Sequence, residues 1–279
     1  MTDALAIASL FFLTSFAPKD KAEVFAALPG TPILYEVSPQ ARYYGKCAWE
    51  MVRFGSLLVQ GRWHHWTPEK WVEESTLRLD HTHIATLEHT HRSEMLMEGF
   101  GRYLLWTPQE VHDGKLAAGI HDIGKLVIPT SILEKPSALT PEEMEIMRKH
   151  VDWSWRFVSW IPGFERVASI IADHHESYDG TGYPKGSQHR EISEATHALA
   201  IVDAYDAITN ARYYKQAKTQ RWAFWELRRC AGRQFDPDLV EAFIAFMGGG
   251  GMEELKEPEP YQPPPPPRKP INLLMEQSA

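Results

Sequence analysis

The sequence predicts an all-α chain, a helical bundle, and three observations carry that expectation. Helix-start and helix-stop signals dominate from Trp71 onward. Apolar residues then recur at helical spacing around a few polar ones. Only residues 31–37 (Thr-Pro-Ile-Leu-Tyr-Glu-Val) read as extended, ended by Pro39.

Taken in order, residues 4–16 are apolar but too short to span a bilayer. The chain opens Met1-Thr2-Asp3, not with the basic stretch of a secretory signal, so a buried or partner-facing helix is expected there. Residues 22–28 read as a short helix stopped by Pro29-Gly30. Residues 1–74 therefore form a small, mainly helical N-terminal region of unknown role. Thr140-Pro141-Glu142-Glu143 is a capping box with proline at the first helical position, and its helix carries Met144, Ile146, Met147 and His150 before Pro162-Gly163. A further helix is expected over 164–176, with Val167, Ile170 and Ile171 on its apolar face. Another runs over 192–210, where Ala198, Ile201, Val202 and Tyr205 surround Asp203 and Asp206. Asp236-Pro237 begins the last helix, which ends at the glycine run 248–251. The principal domain is thus 75–247, followed by a flexible Gly/Pro-rich tail over 248–279 of polyproline or disordered character.

At 279 residues the chain can bury a substantial core, and 43% hydrophobic with 24% charged residues is the balance of a soluble globular protein. A net charge of −8 argues against a binder of long nucleic acids. It leaves a small anionic substrate open, because bound divalent ions dominate their local field. Cys47 and Cys230 stand far apart in sequence, which excludes a disulfide framework and a cysteine zinc knuckle and points to a reducing, cytoplasmic setting.

The chemistry concentrates in His121-Asp122-Ile123-Gly124-Lys125, in His174-His175-Glu176 and in Asp179-Gly180-Thr181-Gly182-Tyr183-Pro184. Nitrogen and carboxylate donors together suit iron, manganese or zinc better than calcium or magnesium. His121-Asp122 follows Leu116-Ala117-Ala118-Gly119-Ile120, an apolar helical stretch that carries the pair into a buried place. Asp203 has the same problem in an otherwise apolar helix. Buried ionisable groups cost several kcal/mol unless paired or metal-bound, so the cluster predicts a metal-dependent hydrolase. No nucleophile elbow for serine or cysteine chemistry is present. The similar run His112-Asp113-Gly114-Lys115 lies near a helix start without an apolar spacer and is expected at the surface. His64-His65, between Trp63 and Trp66, reads as aromatic packing.

From about Glu73 to Met247 the chain resembles the HD-GYP family, a branch of the HD superfamily of metal-dependent phosphohydrolases. The likeness rests on His121-Asp122-Ile123-Gly124-Lys125, Gly182-Tyr183-Pro184 and Asp203-Ala204-Tyr205-Asp206-Ala207-Ile208. It continues to Arg212-Tyr213-Tyr214-Lys215, where the family usually has Arg-Pro-Tyr-Lys. The resemblance implies a helical bundle with a buried dinuclear site: Asp122 bridges two ions, His89, His121 and Asp203 complete one site, and His150, His174 and His175 the other. His89 is followed by Arg92, as the family pattern places them. The resemblance further implies that Lys125 positions phosphate or the bridging species and that Arg212 and Lys215 contact substrate phosphates, while Gly180, Gly182 and Tyr183 shape the loop. Members with a third ion carry a glutamate where this chain has Ala85, so two divalent ions, iron or manganese, are expected in the cluster.

The implied reaction is hydrolysis of cyclic di-GMP to pGpG or GMP. Two rivals stand beside it: another cyclic dinucleotide such as cyclic GMP-AMP (or a different phosphoester), and a receptor with little turnover. No long nucleic acid and no membrane span are expected. A protein partner at the Gly-Tyr-Pro loop, the N-terminal region or the tail, and a homodimer, complete the partner expectations.

Overall fold

Five of the described helix starts are specified by side chains. Thr107 and Thr140 each open a full capping box with proline at the first turn, and Ser193, Thr219 and Asp236 accept from backbone amides in the same way. Each cap satisfies an amide that the helix cannot bond internally. The computed structural model describes residues 39–80, 84–210 and 217–249. Among them run α1 (Pro39–Trp63), α2 (Pro68–Asp80), α3 (Ile84–Tyr103), α4 (Pro108–Ile120), a 3-10 turn (Ile123–Val127) and α5 (Thr130–Leu133). After these come α6 (Pro141–Ser159), α7 (Glu165–Ala172), a second 3-10 turn (His189–Glu191), α8 (Glu194–Thr209), α9 (Gln220–Cys230) and α10 (Pro237–Phe246). No strand forms among the described residues; the single bridge is Ala231 with Phe235. The expected helices at 4–16 and 22–28, the extended stretch at 31–37, the tail beyond Gly249, Arg212 and Lys215 lie outside the described residues, as does the side chain of Ala85.

The bundle is centred on α4 and the 3-10 turn after it. α3 packs along α4 and α8, while α6 lies across the turn and against α7. Phe100 of α3 meets Phe243 of α10 edge-on at 5.1 Å, and Tyr205 of α8 reaches the same ring at 5.2 Å. Such rings remove large apolar areas from water, which is the main force closing the bundle. The expected boundary at residue 75 falls inside α2, and α1 shares the core of the rest. Tyr43, Cys47, Phe54 and Leu57 belong to the common core, and Phe54 stacks on Phe157 of α6 at 4.6 Å. Among the described residues no helix is long and apolar enough to cross a membrane.

Two local expectations need correction. The helix expected over 164–176 ends at Ala172. The carbonyl of Ile171 accepts from the His174 amide at 3.3 Å and from the His174 ring at 2.7 Å, so 173–176 turn off the helix axis. Asp113, expected at the surface, is buried: its carboxylate accepts from Gln109 at 2.8 Å and pairs with Arg166 at 3.1 Å.

Candidate metal centre

Each candidate ligand comes from the end or inner face of a helix. His89 lies on α3, His121 caps the C-terminus of α4, and Asp122 opens the 3-10 turn. His150 is on α6, His174 and His175 follow α7, and Asp203 is on α8. Gly124 makes this convergence possible. A Cβ there would lie 2.0 Å from the His150 carbonyl, so the backbone of α6 rests directly on the turn. The Gly124 amide also donates to Ser154 of α6 at 2.9 Å.

The ligating atoms sort into two groups. In one, single ligand atoms of His89, His121 and Asp203 lie within 4.8 Å of one another; in the other, those of His150, His174 and His175 do. Asp122 stands between them. Its Oδ2 is 3.5 Å from His121 Nε2 and 3.9 Å from His89 Nε2, while its Oδ1 is 3.6 Å from His150 Nε2. His89 Nε2 is also 3.2 Å from Asp203 Oδ1. Donors at about 2.0–2.2 Å from a shared ion stand roughly 3–4 Å from one another, so these separations suit metal coordination.

The ring orientations give an independent fit. His121, His150 and His174 each turn Nδ1 to the carbonyl three residues earlier, at 2.9, 2.7 and 2.7 Å. His89 turns Nδ1 to Asp206 at 2.6 Å. With Nδ1 donating, Nε2 of His121, His150 and His174 carries the lone pair, and these three atoms and His89 Nε2 are buried without a hydrogen-bond partner. Buried polar atoms rarely go unpaired, and four aimed into one space fit divalent ions there.

Electrostatics supports the same assignment. Burial pushes His150 down to about 3 and His174 well below its ordinary value, helped by neighbouring histidines, so both imidazoles stay neutral. Burial disfavours charge on Asp122, but Lys125 and the surrounding histidines outweigh it and hold the carboxyl well below its usual range. Burial likewise opposes charge on His89, yet its contacts with Asp203 and Asp206 raise it to about 9. Asp203 and Asp206 thus favour the charged form of His89, which would have to release its Nε2 proton to ligate.

The supporting roles of Asp206 and Glu176 escaped the sequence reading. Asp206 is 1% exposed and binds His89, both Nε and Nη2 of Arg92, and Asn210. Its three-residue spacing from Asp203 was the available signal, since such residues share a helix face. Glu176 is buried and accepts from the amides of Lys185, Gly186 and Ser187, tying down the Gly-Tyr-Pro loop. In that loop Gly180 has φ +78°, and a Cβ on Gly182 would sit 2.2 Å from the Ser177 nitrogen. Tyr183 stacks on His175 at 4.9 Å, and the Arg148 guanidinium lies 5.1 Å from the Tyr183 ring centre. Lys125 reaches Asp122 Oδ2 with its ammonium group.

Fold and cluster together define a helical domain built around a divalent-metal centre. The HD domain family matches residues 77–239, and the chain belongs to that family; its Gly-Tyr-Pro loop is the signature of the HD-GYP branch. It is 38% identical over 163 residues to a cyclic di-GMP phosphodiesterase of Thermotoga maritima, covering 58% of this chain and 44% of that one. It is 38% identical over 132 residues to the 3'3'-cGAMP-specific phosphodiesterase 2 of Vibrio cholerae, covering 47% and 25%. The chain thus spans less than half the length of these curated relatives. Among solved structures, Bd1817, an HDG"Y"P protein from Bdellovibrio bacteriovorus, shares the fold. Its TM-score is 0.50 at 15% identity, over 82% of this chain and 78% of that one.

Proposed function

We propose that this chain is a metal-dependent phosphodiesterase that hydrolyses cyclic di-GMP to pGpG or GMP, ending a cytoplasmic second-messenger signal. The observation that carries the reading is the pair of ligand groups facing one another across Asp122, with four buried Nε2 atoms left for metal. His89, His121 and Asp203 would hold one ion, His150, His174 and His175 the other, and Asp122 would bridge. Two divalent ions held there, iron or manganese, would supply a nucleophile from water at neutral pH and would offset charge on the phosphoryl oxygens.

The chain's own residues do the rest. His121, His150 and His174 are locked by backbone carbonyls, and Asp206 locks His89, so little reorganisation accompanies binding. Lys125 places a positive charge beside Asp122, where it can meet a phosphate oxygen. Arg212 and Lys215 follow α8 in sequence, and their side chains would hold the phosphates as a fork and a point charge. Tyr183 would support His175, on whose ring it stacks.

A second reading keeps the chemistry and changes the base: the likeness to the cGAMP-specific relative favours cyclic GMP-AMP as a competing substrate. The test is chromatography of products after anaerobic loading with iron(II) or manganese(II), each dinucleotide supplied in turn, beside an Asp122→Ala variant. Linear product from cyclic di-GMP, absent in the variant, is expected. Faster cleavage of cyclic GMP-AMP would move the assignment to the second reading. Tight nucleotide binding without turnover in metal-loaded protein would make the chain a receptor.

A further inference from the structure

Beyond the Gly-Tyr-Pro loop lies a second group of ligating side chains that the proposed reaction does not use. His189 sits in the 3-10 turn His189–Glu191, His197 lies in the first turn of α8, and Asp236 caps α10. One ligand atom from each lies within 4.8 Å of the other two. His189 Nδ1 is buried with no hydrogen-bond partner. It stands 3.6 Å from Asp236 Oδ2, too far for a direct hydrogen bond. Two ligands of one tetrahedral ion, each about 2.0–2.1 Å from it, are separated by roughly 3.3 Å, so this gap fits a bridged pair.

The surrounding contacts hold the three side chains in place. Asp236 Oδ1 is occupied as the helix cap, accepting from Asp238 at 2.9 Å and Leu239 at 3.1 Å, which leaves Oδ2 as the oxygen on the His189 side. The His189 ring stacks on Tyr178 at 4.5 Å and 26°. His197 is 5% exposed, and its Nε2 is 3.4 Å from the His189 carbonyl, a long contact that does not commit the nitrogen. Burial holds His197 below its ordinary value and therefore neutral, the form that ligates.

We propose that His189, His197 and Asp236 bind one further divalent ion of the zinc class, with a fourth position left to water. Two imidazoles and one carboxylate are a zinc donor set. Such an ion joins the segment after the Gly-Tyr-Pro loop to α8 and α10. The His189 amide donates to the Tyr178 carbonyl at 3.2 Å, and Tyr178 and Asp179 in turn donate to the carbonyls of Gln234 at 3.1 Å and Arg233 at 2.9 Å, in the turn before α10. The site shares no ligand with the cluster around Asp122.

The test compares metal-stripped wild-type protein with Asp236→Asn and His189→Gln after equilibrium dialysis against zinc chloride, with bound zinc counted by mass spectrometry. Asparagine keeps an oxygen for the helix cap but supplies no anionic ligand, and His189→Gln covers the case in which the first variant misfolds. Each variant is expected to hold one equivalent less than wild type and to lose part of the zinc-dependent rise in melting temperature. Equal zinc content in all three proteins overturns the proposal and leaves a simple His189–Asp236 ion pair. Should the Asp122 cluster take no metal, every total falls together while the one-equivalent difference persists, so the two failures are distinguishable. The two-ion expectation for the Asp122 cluster is read from the Asp236→Asn total.

Discussion

His112-Asp113-Gly114-Lys115 and His121-Asp122-Ile123-Gly124-Lys125 use nearly the same residues on and just after one helix, and their chemistry differs completely. The first run lies within α4, where ordinary partners take up its groups. His112 is 3.8 Å from Glu69, Lys115 pairs with Glu98 at 2.7 Å, and Asp113 is shared by Gln109 and Arg166. The second run lies where α4 stops. Its histidine returns Nδ1 to Ala118 and leaves Nε2 buried and unpartnered, and its aspartate faces two further histidines, His89 and His150. The glycines differ as well. A Cβ on Gly114 would meet only side chains of Trp106 and Met97, whereas one on Gly124 would strike the backbone of α6. Residue types alone do not make the site; a helix end against a close-packed neighbouring backbone does.

The largest expected effect separates the two aspartates. Asp122→Asn should lower cyclic di-GMP hydrolysis by about a thousandfold, roughly 4 kcal/mol of lost transition-state stabilisation, measured as initial rate at saturating metal. Asp113→Asn should leave that rate within about twofold; a comparable loss in both would erase the contrast. Next comes Gly124→Ala, which should cost about 1–3 kcal/mol or more in urea unfolding and reduce bound metal. Gly114→Ala, meeting movable side chains, should cost less. Asp206→Asn should then weaken metal binding by about 10–100-fold in chelator competition, because it releases the orientation of His89. Unchanged affinity would mean that packing alone holds that ring. The smallest effect is on stability: Asp113→Asn should lose about 1 kcal/mol or less, shrinking in high salt, since its partner Arg166 is mostly exposed.

The caps at Thr140 and Asp236 were readable because a cap is local: it needs only a few adjacent residues and one backbone geometry. The seven ligand candidates follow from the resemblance and, for Asp122, from the cost of burying a carboxylate, whereas Asp203 keeps 23% of its side chain exposed. The burial of Asp113 was not, because Arg166 comes from α7 and no local pattern announces that pairing. The role of Asp206 was half legible: its spacing from Asp203 is in the sequence, but the ring it orients belongs to α3. The early end of α7 depended on a ring nitrogen competing for the Ile171 carbonyl.

By itself, the sequence determined where several helices begin and which residue types could ligate metal. These follow from short-range hydrogen bonding and from composition. Only the tertiary structure decided which histidines share a space, which way each ring points, and that His189, His197 and Asp236 meet at all. Those facts depend on how distant helices pack, and packing is set by contacts between residues far apart along the chain.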